Sequence, residues 1–390
     1  MAPTVLISCG EASGDLYAGA LAESLRERAP GVRVLGLGGD RLAAAGGELV
    51  GDFRGLAVTG IAEAVRVLPR SLQMYRRLVR TAREVRPDVA VAIDFPDFNF
   101  RLAGALKRLG IPLVYYIPPQ LWAWRSGRMR RLRALADRIL VIFPFEPEIY
   151  RQAGTAATFV GHPLLELARP TTERGPFLRG LGLDPAAPVV ALLPGSRPNE
   201  VAAILPTLIE ATGPISAAEP RTQYVLARAP GLPGTLFDDA RLTGAPGGRG
   251  ASRGRIAAVE GRADDVLACC DLVITASGTA TVQAAIHERP MVVVYRVSPL
   301  TYAIGRRFVH LDTFAMVNLV AGERVAPELI QDAFTPAAVA DAALLLLRPG
   351  EARERALRGV RVVKERLGGA GASRRAADAV LEVARQGAAG

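Results

Sequence analysis

Lysine is almost missing from this 390-residue chain: of 48 basic side chains only Lys107 and Lys364 are lysines, and the rest are arginine. Cysteine is scarce. Cys9, Cys269 and Cys270 make no disulfide framework in so long a chain, and adjacent cysteines are poorly placed to bridge. Reduced thiols in a cytosol are the expectation. Histidine is equally rare, and His162, His287 and His310 fall at no metal-ligand spacing, so no metal or other cofactor is expected. There is no run of about 18 uninterrupted apolar residues, so no transmembrane helix is expected. The apolar start, Val5 to Ile7, is too short and lacks the basic lead of a signal peptide. RNP-like strands and zinc-finger spacings are also missing, which removes nucleic acid as an expected partner.

What is there is an ordinary globular composition, 50% hydrophobic and 22% charged, in a chain long enough for two domains. The net charge of +10 favours anionic partners, either a membrane surface or a phosphorylated substrate. Short Val/Ile/Leu-rich runs at Thr4–Cys9, Arg33–Leu37, Asp88–Ile93, Pro112–Ile117 and Arg138–Ile142 alternate with segments of helical length, such as Leu16–Arg28. The rhythm restarts at Val189–Leu193, Gln223–Ala227, Ile256–Val259, Leu272–Thr275 and Met291–Tyr295. This is the pattern of parallel βαβ units. The spacing predicts an α/β protein of two doubly wound parallel-sheet domains, residues 1–165 and 173–349, joined by a Pro- and Gly-rich linker within Gly161 to Pro176. The helical stretch of about 350–390 is expected to pack back on the first domain or on a partner subunit. Gly244 to Arg255 reads as a surface loop, and Val58 to Leu72 as an amphipathic patch that could face lipid.

In open α/β sheets, ligands bind at the carboxyl ends of strands. Several polar motifs fall there. Gly10-Glu11-Ala12-Ser13-Gly14-Asp15 joins a strand to a helix. Its glycines allow a tight turn and the helix start offers N–H groups, although Ser13 and Asp15 also suit plain capping. Asp94-Phe95-Pro96-Asp97-Phe98-Asn99 follows another strand. Transfer to a hydroxyl needs a base, and Asp94, nearest the strand end, is the first candidate; Asp97 could orient it or, with Asn99, cap the next helix. Trp122 and Trp124 sit beside Arg125 in a loop suited to an acyl chain, a sugar face or a membrane interface, or to packing between helices.

In the second half, Leu193-Pro194-Gly195-Ser196-Arg197 is an anion cradle. Gly195 and Ser196 can supply backbone donors, and Arg197 a fork for the developing charge of a leaving diphosphate. Ser277-Gly278-Thr279-Ala280-Thr281 is a second cradle of small and hydroxyl residues, without the lysine of a Walker loop. Two cradles in one half fit a nucleoside diphosphate better than a single phosphate.

Taken together and in order, Gly10–Asp15, Asp94–Asn99, Tyr116–Trp124, Phe143–Glu146, Val160–Pro163, Leu193–Arg197 with Glu200, Ala276–Thr281, Pro290–Arg296, Asn318-Leu319 and Pro327–Gln331 resemble the lipid-A-disaccharide synthases, glycosyltransferase family 19. The resemblance implies a GT-B fold, two Rossmann-like domains with an interdomain cleft between them. It implies metal-free inverting transfer from UDP-2,3-diacylglucosamine to 2,3-diacylglucosamine 1-phosphate (lipid X), giving the β-1,6-linked disaccharide 1-phosphate and UDP. By position, Asp94 matches the general base and Arg197 the diphosphate arginine, with Glu11, Ser13, Asp15, Asp97, Asn99, Trp122 and Trp124 on the acceptor side. Gly195, Ser196, Ser277 to Thr281, Gln283 and Asn318 fall on the UDP side. A peripheral protein on the cytoplasmic face of a Gram-negative inner membrane, touching anionic lipid, is also implied, with a homodimer exchanging C-terminal helices as one arrangement. Two departures stand out. Gln283 replaces a glutamate usual near the ribose, and Pro118-Pro119 replaces Ser-Pro. An epimerase of the same fold acting on UDP-GlcNAc, and a non-catalytic lipid- or nucleotide-binding protein, are the alternatives.

Overall fold

The computed structural model describes residues 2–56, 61–119, 126–237, 255–296 and 313–388. Trp122, Trp124 and Arg125, the loop at 244–254 and the start of the amphipathic patch at 58–60 lie outside the described residues.

Two compact units emerge, residues 1–163 with 367–390, and residues 164–366. The first is built on seven parallel strands, β1 (Thr4–Cys9), β2 (Arg33–Gly38), β3 (Glu48–Asp52), β4 (Val89–Ile93), β5 (Leu113–Tyr116), β6 (Arg138–Val141) and β7 (Thr158–Phe159). Their order in the sheet is β3-β2-β1-β4-β5-β6-β7. Helices α1 (Ala12–Arg28), α2 (Asp40–Ala44), α3 (Ile61–Val85), α4 (Pro96–Arg108), α5 (Ser126–Leu135) and α6 (Glu146–Gln152) connect them. The central strands are buried on both faces, which is why they read as unbroken apolar runs; β4 is Val-Ala-Val-Ala-Ile, buried throughout. Each fully buried Leu or Ile, such as Leu6, Leu35 or Leu102, contributes roughly 1.5–3 kcal/mol against solvent exposure.

The second unit begins with α7 (Leu164–Leu167) and α8 (Arg174–Gly180). Its six parallel strands are β8 (Val189–Leu193), β9 (Gln223–Arg228), β10 (Ile256–Glu260), β11 (Leu272–Ala276), β12 (Met291–Tyr295) and β13 (Glu328–Ile330), ordered β10-β9-β8-β11-β12-β13. Around them lie α9 (Pro198–Ala218), α10 (Ala263–Cys269), α11 (Thr279–Ile286), α12 (Met316–Ala321), α13 (Pro336–Leu347) and α14 (Glu351–Arg366). By length and a mean hydropathy of 1.4, α9 is apolar enough to cross a membrane. Here it is a core helix instead, with Val201, Ile204, Leu208 and Ile215 fully buried against the sheet.

Both sheets place their first strand beside their fourth, so the connections run outward in opposite directions from the β1/β4 and β8/β11 pairs. These are the topological switch points where open α/β sheets form a crevice. Three strands, β3, β7 and β13, were not anticipated; all are at sheet edges, short and only partly buried, so they carry no apolar run. The stretch read as a linker is fastened to the second unit from Leu164 onward. There the Asp265 carboxylate accepts the backbone N–H groups of Thr171 (2.6 Å) and Thr172 (2.9 Å) and an Arg262 N–H (2.8 Å). Of the stretch expected to return to the first domain, α14 packs within the second unit, and only Leu367–Gly390 returns, its helix Ala372–Ala388 lying against α1 and β4.

Candidate active site

The first switch point is flanked by the turns after β1 and β4, which hold Gly10–Asp15 and Asp94–Asp97. At the end of β4 the backbone turns sharply: Asp94 and Phe95 are both left-handed, with φ of 43° and 50°. Non-glycine residues adopt this conformation rarely, and such strain concentrates at functional sites. The Phe95 ring lies over Gly10, where a Cβ would come within 2.1 Å of it. Gly10 is therefore required by its neighbour across the switch point, not by its own φ. Asp94 is half-buried, and Asp97 is exposed in the first turn of α4, where a carboxylate favours the positive end of the helix dipole. Glu11 stands at the N-cap of α1 and Ser13 in its first turn, both half-buried.

Beside them lie two buried rings to which the sequence reading gave no site role. Tyr17 packs edge-on against His162, with ring centroids 6.2 Å apart, and Phe143 also packs against His162 at 5.3 Å. Burial pushes the Tyr17 phenol well above its ordinary range, and the negative charge of Asp94 pushes it further. Burial also holds His162 down at about 3. Both rings are neutral near pH 7. His162 lies in the Val160–Pro163 motif, but only the fold shows it packed against Tyr17.

Three expected site residues have structural duties. Asp15 is 4% exposed, and its carboxylate accepts the backbone N–H groups of Gly39 (2.7 Å), Arg41 (2.9 Å) and Leu42 (3.2 Å), capping α2. Asn99 is fully buried and spends its amide on Ser8 and on the carbonyls that end β4. Asn318, 1% exposed, accepts from Val325 and Ala326 N–H (both 2.9 Å) and donates to the Ala326 carbonyl (2.9 Å) and to Glu328 (2.6 Å). Glu328 in turn takes the N–H groups of Phe314 (2.9 Å) and Ala315 (3.2 Å), so the pair fixes the chain entering α12.

The second switch point is flanked by the two cradles. After β8, Gly195 is left-handed at φ 124°. Glu200, one turn into α9, reaches back: one carboxylate oxygen accepts Ser196 N–H at 3.2 Å and the other pairs with the Arg197 guanidinium at 3.0 Å. A single anionic group thus meets both a backbone donor and Arg197. After β11, Gly278 at φ 147° leads into α11, and a Cβ there would meet no atom within 4 Å. Ser277 and Gly278 are half-buried and Thr279 is exposed, while Thr281 is buried with its hydroxyl donated to the Gly278 carbonyl (2.8 Å). Ser277 donates to the Phe314 carbonyl at 3.4 Å, joining this cradle to the segment that Glu328 holds.

The sequence model of the lipid-A-disaccharide synthetase family matches residues 5–383. The chain belongs to this family. It is 44% identical over 381 residues to the lipid-A-disaccharide synthase of Myxococcus xanthus (strain DK1622), covering 98% of this chain and 97% of that protein. To the lipid-A-disaccharide synthase of Koribacter versatilis (strain Ellin345) it is 45% identical over 403 residues, covering 98% and 99%. The crystal structure of UDP-GlcNAc 2-epimerase from Neisseria meningitidis bound to UDP-GlcNAc is similar, with a TM-score of 0.65, 12% identity and coverage of 97% of this chain and 99% of that one. That likeness shows the fold alone. With the two parallel-sheet units it fits a GT-B fold, and the full-length family match makes this member of the lipid-A-disaccharide synthetases a glycosyltransferase, disfavouring the epimerase and non-catalytic alternatives.

In this family member Gln283 does not stand alone. Its amide donates to Asp264 (3.3 Å), which also meets His287 Nε2 (3.0 Å), so Gln283 is tied to α10.

Proposed function

We propose that the chain transfers 2,3-diacylglucosamine from UDP-2,3-diacylglucosamine to lipid X with inversion. The acceptor's 6-hydroxyl oxygen forms a bond to the donor C1 while the bond from C1 to the diphosphate oxygen breaks. UDP leaves with the electron pair, and the hydroxyl proton passes to the Asp94 carboxylate. Arg197 and the Gly195–Ser196 backbone receive the charge that develops on the diphosphate, with the Ser277–Thr281 cradle alongside. The observation that supports this reading is the pairing of Glu200 with Ser196 N–H and Arg197, since it brings a carboxylate onto the donors a phosphate would use. The test is incubation with both substrates in detergent with EDTA. Acceptor-dependent release of UDP and disaccharide 1-phosphate, undiminished by the chelator, is the expected result. UDP released without lipid X would instead mark an epimerase-like or hydrolytic activity.

We further propose that the protein works at the cytoplasmic face of the inner membrane, bound peripherally to anionic lipid. Leu68 and Leu72 are exposed on α3, 55% and 41% accessible, with Arg70, Arg76, Arg77 and Arg80 exposed nearby. Apolar side chains among arginines suit a headgroup layer. The protein is expected to float with anionic phospholipid vesicles, less so in high salt and not with neutral ones; equal flotation with both would remove the electrostatic part. A homodimer is part of this proposal, checked by the sedimentation coefficient of the detergent-free protein.

A further inference from the structure

The base can act only if the turn that carries it stays in place, and that turn is an improbable one. Two consecutive non-glycine residues, Asp94 and Phe95, lie in the left-handed region. Such a conformation persists only where the surroundings over-determine it. The structure shows what does so. The Asp94 carbonyl accepts two hydrogen bonds, from the Tyr115 hydroxyl at 2.9 Å and from the Asn99 side-chain amide at 2.8 Å. The Asp94 N–H donates to the Ile117 carbonyl at 3.1 Å, so both peptide groups around Asp94 are fixed. Asn99 is itself held: its Oδ1 accepts the Ser8 hydroxyl at 2.7 Å, and its nitrogen also lies 3.2 Å from the Ile93 carbonyl and 3.3 Å from that of Ser8. Ser8 belongs to β1, Asn99 to α4 and Tyr115 to β5. Two elements thus converge on the Asp94 carbonyl at the switch point, and β1 holds one of them through Ser8.

We infer that Asn99 and Tyr115 are positioning residues for the reaction: they hold the Asp94–Phe95 peptide in the conformation that places the Asp94 carboxylate against the acceptor hydroxyl. The inference rests on Asp94 being the base. Both side chains are fully buried. Their effect is on geometry, and a displacement of even an ångström at a reacting group lowers the rate steeply.

Tyr115→Phe removes one hydroxyl and leaves the ring packed, so it is the primary variant; Asn99→Asp, which sets a carboxylate against carbonyl oxygens, is the second. Tyr224→Phe is the control, for it removes hydrogen bonds to Ser216 and Thr212 in the other unit, away from both switch points. Tyr115→Phe is expected to lower kcat by about tenfold or more with KM for both substrates within about twofold. The control is expected to keep kcat whatever its Tm. In an Asp94→Asn background the tyrosine change is expected to cost nothing further, because the group it positions is gone. If Tyr115→Phe keeps wild-type kcat, or multiplies the Asp94→Asn defect in full, the positioning role is overturned even where Asp94→Asn alone is inactive. If Asp94→Asn is itself active, the base assignment falls first, and that outcome is seen separately.

Discussion

Asp94→Asn is expected to reduce disaccharide formation by about 10²–10⁴-fold, the range a positioned general base contributes, while KM for the UDP-sugar changes little. That loss corresponds to roughly 3–5 kcal/mol of barrier. Asparagine preserves the size of the side chain and one acceptor oxygen, but it cannot take up a proton at neutral pH. Two nearby groups could be asked to replace it, and neither can. Tyr17 is buried, and burial, the larger cause of its raised pKa, keeps the phenol protonated even when the charge of Asp94 is gone. His162 is 1% exposed and, at about 3, too weak a base to accept a proton at pH 7. The measurement is kcat from UDP release with saturating lipid X, alongside binding of the UDP-sugar. Retention of more than about a tenth of wild-type kcat would remove Asp94 from the role, since that is smaller than the effect general-base catalysis requires.

The fold was legible in the sequence where burial is two-sided. Strands such as β4 and β8 have no polar face, so their Val and Ala runs can be nothing else at that length. Edge strands have one neighbour and a partly wet surface; Glu48–Asp52 pairs only with β2 and carries charge at both ends, so no run forms. The site was legible to a different extent. Its motifs were found because polar residues at the ends of buried strands must be either used or hydrogen-bonded. Which of the two applies could not be read, since a ligand and a stray backbone group select the same residue types. Asp15 answers to the N–H groups at the start of α2, Asn99 to the carbonyls closing β4, and Asn318 to those preceding β13. Each partner is reached only through the tertiary fold. The same holds for Gly10, whose reason is the Phe95 ring on the far side of the switch point.

Arg197→Ala is expected to lower kcat/KM for the UDP-sugar by about 10²–10³-fold, the scale of losing one preorganised donor to a developing oxyanion, and to weaken inhibition by UDP in parallel. The geometry gives the reason. Arg197 precedes α9, and Glu200 draws its guanidinium toward the Ser196 N–H, so the two donors converge within the span of one carboxylate. A diphosphate brings more charge and more oxygens to the same donors, and would take them from Glu200. The charge of Glu200 and that of Arg197 are both felt at the Tyr295 phenol, where burial is the main cause of its raised pKa, Glu200 adds to it and Arg197 opposes it. Arg197→Lys separates charge from shape: an ammonium keeps the charge but not the planar fork. It is expected to recover ground-state binding of UDP more than kcat. Full recovery of both by lysine would mean that charge alone matters at this position, and an alanine variant with kcat/KM within about threefold of wild type would place the diphosphate elsewhere.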